Sequence, residues 1–406
     1  MTSASLTDVA ATALRRLCLD VPTRRVGSAG NRAATEWLAA ELSALGWATE
    51  TPRFECLDWH EQGANLTVAG QAFPVQASPY TLGICCQAPL VAAATVDELA
   101  AAEATDRVLL LRGQIAREQL MPKGYPFYNP EEHQQVYALV EGKQPRAVVC
   151  ATSRNPQMAG AVYPFPLFYD GNFHIPSVYT TEQEGERLAA LAGQEAQLAM
   201  RAQRQPAHGC NVVARKGRNA PRRAVLFAHI DTSVNTPGAV DNAAGVATLL
   251  LVAKLLKDYA SDMQIELVAV NGEDDYSAAG ELLWLAQNQG RLEEIGLGIN
   301  LDALGFHRGR TAYSLYGCPP PLEQTIHAAL AAHEGLMEGE PWYQSDHAVL
   351  MQKGVPALAV TSEGVGEILA TVAHSQGDLP EVVDPQRLAT ASLALRDLLL
   401  HLASAA

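Results

Sequence analysis

From Gly209 to the C-terminus the chain alternates apolar segments of strand length with longer segments of helical periodicity. No other feature constrains the fold as much. AVLFAH leads to VATLLLVAKLLKDY, QIELVAVNG to AGELLWLAQNQ, and IGLGINLDALG, TAYSLYG, PLEQTIHAALAAHEG and PALAVTS continue the pattern to a closing helix, DPQRLATASLALRDLLLHLASA. Asp384 and Pro385 suit the N-cap and first turn of that helix. Such alternation predicts a central mixed, mostly parallel sheet covered by helices on both faces, a three-layer α/β/α sandwich.

The first fifty residues fit the same layer: two helices, SLTDVAATALRRLCLD and NRAATEWLAAELSALG with a terminating Gly46, then WATETPRFECLDW in extended alternation. Between them and Gly209 the texture changes. NLTVAG, RVLLLRG, RAVVCAT and IPSVYTT read as short strands, separated by proline, glycine, tyrosine and asparagine clusters at 122–130 and 155–174. We therefore expect one α/β domain built from 1–61 and 205–406, interrupted by a smaller β-rich inserted domain at 62–204. A chain of 406 residues is long enough for about two or three domains.

The net charge of −15 makes nucleic acid and anionic membrane surfaces unfavourable partners. No apolar run reaches the ~18 residues that a membrane span requires. The N-terminal MTSASLTDVAATALRRLCLD lacks the basic start and apolar core of a signal segment. Seven cysteines, with no CxxC spacing and with Cys85 and Cys86 adjacent, suit a reducing compartment, so the expected location is cytoplasmic.

The residues that carry chemistry fall just after the predicted strands, where open α/β sheets place their working crevice. His229 and Asp231 follow VLFA, Glu273 and Asp274 follow ELVAVNG, Asp302 ends GINL, and His374 lies beyond PALAVTS. Asp241, with Asn242, stands where the loop after the first of these strands turns into a helix. Taken singly, an Asp-Asn at a helix start is usually a cap, and an acidic triplet a solvated loop. Converging on one sheet edge, they supply the five or so ligands, one of them shared, that a pair of divalent cations needs. The inventory assigns one metal to His229 and Asp302 and the other to Asp274 and His374. Asp241 bridges them, Glu273 is the general base, and Asp231 accepts the second imidazole N–H of His229. His327 and His333, six apart on one helix, read as structural. Ser345-Asp346-His347 reads as a loop near the site, with His347 a candidate substrate contact. HExxH, GxSxG and Walker-type loops are absent from the sequence.

These segments, HID, PGAVDN, NGEDD, INLDALG, SDHAVLMQKGVPAL and AHSQGD, resemble the double-zinc aminopeptidase family that also includes glutamate carboxypeptidase II. RRVGSAGNRAATEWLAAELSALGW looks like its opening helices, and the insert is similar to its protease-associated domain. The resemblance implies two zinc ions and a peptide or aminoacyl substrate cut by a water held between the metals. Aminopeptidase action is the leading expectation; a carboxypeptidase, a dipeptidase and a non-catalytic binding protein of the same fold are the alternatives, and a homo-oligomer is left open. Two positions depart from the family pattern. Asp274 stands where a second glutamate is usual, and Ala373 stands where many members carry an oxyanion-binding tyrosine. Tyr343 and Tyr276 are the candidate replacements.

Overall fold

A computed structural model describes residues 3–21, 23–154, 159–218 and 222–404. The chain divides into two compact units, one of residues 1–55 and 208–406, the other of residues 56–207.

The first unit is built on an eight-stranded sheet in the order Ala48–Glu50, Val212–Lys216, Gln264–Val270, Arg223–His229, Ile295–Leu301, Ala357–Ser362, Thr311–Tyr316, Leu336–Glu338. The four central strands run parallel, Gln264–Val270 beside Arg223–His229, then Ile295–Leu301 and Ala357–Ser362, with antiparallel neighbours flanking them. Successive residues of a strand serve opposite faces. Ala224, Leu226 and Ala228 join a core with the helices Ser3–Arg15, Ala244–Leu255 and Pro385–Ser404, whereas Val225 and Phe227 pack on the other face with Trp284 and Leu350. This double burial explains the continuous apolar runs, and the mixed α/β sandwich agrees with the expectation from sequence.

The second unit holds another eight-stranded sheet, in the order Gln71–Phe73, Arg53–Val68, Glu195–Cys210, Ile84–Ala93, Val108–Leu111, Ala147–Thr152, Ser177–Thr181, Gln76–Ala77. It is less purely β than its sequence texture suggests. Ile84–Ala93, Val108–Leu111, Ala147–Thr152 and Ser177–Thr181 run parallel, and the helices Val96–Ala101, Glu131–Lys143 and Glu182–Ala189 connect or follow them. The helix Glu131–Lys143 buries His133, Val136, Tyr137 and Val140 at helical spacing, a stripe masked in the sequence by its polar neighbours.

Candidate metal centre

The four central strands end at one edge of the sheet, and each delivers side chains to it. His229 is the last residue of its strand and is fully buried. Glu273 and Asp274 lie just beyond Gln264–Val270, and Asp302 just beyond Ile295–Leu301. His374 follows Ala357–Ser362 only after the intervening helix Val365–Thr371, and adopts a left-handed backbone with φ of 60°. That conformation is uncommon outside glycine and asparagine and recurs at functional positions. Asp241 precedes the helix Ala244–Leu255 with φ −126° and ψ 83°, so it is not part of a regular turn.

Asp241 occupies the centre of the cluster. Its Oδ1 lies 3.2 Å from Nε2 of His229 and its Oδ2 3.2 Å from Nε2 of His374. Each imidazole has a carboxylate of its own as well: Asp302 Oδ1 at 3.6 Å from His229, and Asp274 Oδ1 at 2.8 Å from His374. Glu273 Oε2 stands farther off, 3.9 Å from Nε2 of His229. His229, Asp241 and Asp274 offer donor atoms all within 4.8 Å of one another.

Two observations say what this arrangement is suited to hold. Among the described residues, both ring nitrogens of His229 and Oδ1 of Asp302 are buried without a hydrogen-bond partner. Orphaned buried polar atoms are rare unless something else satisfies them. The second observation is electrostatic. Burial would push His229 and His374 down, yet the facing carboxylates hold both well above the usual imidazole range. Burial would likewise raise Asp241, but the two imidazoles overcome it and hold its carboxyl below the ordinary value. Glu273 is driven well up by burial, a trend His229 opposes and Asp274 reinforces. A cluster of imidazole nitrogens and carboxylate oxygens that stabilises positive charge this strongly fits a divalent cation of the zinc kind.

Asp231 requires a correction. Its Oδ1 lies 3.8 Å from Nδ1 of His229, too far for the expected hydrogen bond. Instead the fully buried carboxylate accepts the N–H of Gly272 at 2.9 Å and of Asp274 at 3.1 Å, which fixes the loop carrying Glu273 and Asp274. The strand ends at His229, and beyond it the Asp231 carboxylate faces the Gly272–Asp274 backbone.

His347 also departs from expectation. It opens the helix His347–Gln352, is fully buried, and sits 2.8 Å from the carbonyl of Trp342 through Nε2 and 3.2 Å from Asn300 Nδ2 through Nδ1. It supports the fold and cannot meet substrate. His327 and His333 pair with Tyr313 and Asp397, as structural residues do. Tyr276 is buried in the loop after Glu273, whereas Tyr343 is 61% exposed and rests edge-on against Tyr316.

Two residues that sequence reasoning passed over frame the site. Arg24, fully buried, donates through Nε to the Ile230 carbonyl, through Nη1 to Leu17 and Pro237, and through Nη2 to Gly238. Asp378, also fully buried, contacts the backbone ahead of Asp241. Only the position of Asp378 inside the AHSQGD segment hinted at it, and nothing local to Arg24 did.

Residues 211–399 match peptidase family M28. The "Probable lipoprotein aminopeptidase LpqL" of Mycobacterium tuberculosis is 25% identical over 288 residues, covering 70% of this chain and 55% of that protein; the chain thus spans about half the length of this curated relative. Among solved structures, BSAP, a zinc aminopeptidase from Bacillus subtilis, superposes with a TM-score of 0.75 at 20% identity, covering 98% of this chain and 95% of that one. An aminopeptidase from Aneurinibacillus sp. strain AM-1 gives a TM-score of 0.73 at 17% identity, covering 97% and 93%. The match spans every side chain of the cluster, from His229 to His374, and the chain carries a domain of peptidase family M28, the double-zinc aminopeptidase family.

Proposed function

We propose that this chain is a metal-dependent aminopeptidase working with two divalent cations, zinc by preference. The observation that carries the proposal is Asp241, whose two oxygens each face a different imidazole, while each imidazole has a further carboxylate beside it. His229 and Asp302 would hold one cation, Asp274 and His374 the other, with Asp241 common to both. When bound, such ions polarise a carbonyl and lower the pKa of water, which makes hydrolysis feasible near neutrality.

The chain's own residues do the rest. Glu273 is the base: it takes a proton from the attacking water onto a carboxylate oxygen and hands it to the leaving nitrogen. Burial raises its proton affinity, as a group that must both accept and release a proton requires. Asp231 holds the Glu273 loop by its two backbone bonds, so the carboxylate does not have to be ordered at each turnover.

The shorter Asp274 still reaches His374, so this departure leaves the donor set intact. The insert remains, on our reading, protease-associated in type, and the odd cysteine count favours a cytoplasmic setting; among the described residues no helix is long and apolar enough to cross a membrane.

Elemental analysis paired with aminoacyl anilides, with and without chelator, tests the proposal. Two equivalents of zinc and chelator-sensitive release support it; metal-free protein that takes up no zinc overturns it. Free against N-blocked substrates separates amino- from carboxypeptidase action, since an aminopeptidase loses the blocked one.

A further inference from the structure

The loop that carries His374 is stitched to the loop that carries Asp241. Thr236 Oγ1 donates to the Ser375 carbonyl at 2.9 Å, and the Ala239 N–H to the Asp378 carbonyl at 3.1 Å. The Asp378 carboxylate closes the contact: Oδ1 accepts the Val240 N–H at 2.7 Å and Oδ2 the Asp241 N–H at 3.1 Å. On the far side, Arg24 grips the carbonyls of Pro237 and Gly238. The backbone that projects the Asp241 side chain is therefore held from both sides, by a carboxylate on its amides and a guanidinium on its carbonyls.

We propose that Asp378 is a positioning residue for Asp241, setting the backbone from which the Asp241 carboxylate meets both imidazoles and thereby the affinity for divalent cations. Three features carry this. Both Asp378 oxygens are used on consecutive amides, the second belonging to Asp241 itself. Asp378 lies four residues from His374, so one short segment both carries His374 and holds the backbone of Asp241. Asp231 repeats the device on the opposite side, with its oxygens on the amides of Gly272 and Asp274. Carboxylates of this kind orient ligands without touching the ion, and their removal typically costs about ten- to a hundred-fold in metal affinity.

The inference rests on the cluster being a divalent-metal centre, and the test keeps the two apart. Zn²⁺ binding is measured by equilibrium dialysis, and Co²⁺ by its visible absorption, on the wild type, Asp378→Asn, Asp378→Ala and Thr236→Val. Thr236→Val removes a tether between the same loops without touching the Asp241 amide. Both Asp378 variants are expected to lose about ten-fold or more in Zn²⁺ affinity and to alter the Co²⁺ spectrum, with Asn, which keeps one acceptor oxygen, less affected than Ala. Thr236→Val is expected to lower the melting temperature of chelated protein while keeping wild-type affinity and spectrum. Asp378→Asn, nearly isosteric, carries the test if Ala fails to fold. Wild-type Zn²⁺ affinity in Asp378→Asn, or an equal loss in Thr236→Val, overturns the positioning role. A wild type that binds neither ion overturns the metal-centre reading instead.

Discussion

The Asp274 carboxylate ends 2.8 Å from Nε2 of His374, and its other oxygen accepts the Ser233 N–H at 3.0 Å. A side chain one methylene shorter than the family's usual glutamate is thus engaged at both oxygens. Asp274→Glu must either push past the Ser233 amide or abandon it. We expect that variant to retain zinc with about ten-fold weaker affinity, and Asp274→Ala to lose one of two equivalents. Elemental analysis after dialysis distinguishes the cases.

Glu273 stands nearest His229 but at 3.9 Å, back from the donors that crowd the imidazoles. Asp274 and Asp241 approach much closer. Replacing it by glutamine should leave metal content unchanged and cut turnover by a factor of about 10² to 10⁴, the usual worth of a general base. Near-normal turnover with full metal content removes Glu273 from that role.

Protons and cations compete for the same buried groups. Burial pushes Asp346 and Asp378 up to about 7, from an unfolded carboxylate value of about 3.9. In chelated protein these groups keep protons that the unfolded chain has already released, so their contribution to stability falls as pH rises from about 4 to 7. His229 and His374, raised by their carboxylates against the pull of burial, act in the same direction: their contribution is present at low pH and lost as pH rises through their folded values. Melting temperature of the chelated protein should therefore decline with pH. Added zinc should reverse the trend, since ligands must shed protons to bind it. A melting temperature that rises with pH in chelator contradicts this.

Arg24 spends its guanidinium on four backbone carbonyls, those of Leu17, Ile230, Pro237 and Gly238. Lysine offers a compact ammonium in place of that planar fork. We expect Arg24→Lys to lose about 3 kcal/mol of stability, consistent with at least one stranded buried charge-assisted bond, as read from urea denaturation.

The sheet, its helical cover and the approximate position of most donors were legible because these residues stand at the end of an apolar strand or just beyond it, and strand ends converge by topology alone. His229, Asp302 and the Glu273–Asp274 pair need no more than that. The roles of Asp231 and Asp378 were not legible, since both act on backbone amides brought to them from more than forty and more than a hundred positions away. A carboxylate that grips an amide leaves no pattern in its own neighbourhood. His347 misled for the opposite reason: its Ser-Asp-His setting looks chemical, yet Trp342 and Asn300 consume both ring nitrogens. Ala373 is fully packed in the core, so the tyrosine usual at that point has no counterpart there.

Ala48–Glu50 pairs with Val212–Lys216 in antiparallel register, Glu50 opposite Val213, and the Asn211 N–H reaches the Pro52 carbonyl at 3.1 Å. Departure and return of the polypeptide are thus side by side on the rim of the sheet, in the geometry of an ordinary hairpin. A turn of a few residues would close this gap at little entropic cost, because chain closure depends only weakly on length. Within the first unit the pairing of these two strands is set by their own ladder, from Ala48 against Arg215 to Glu50 against Val213.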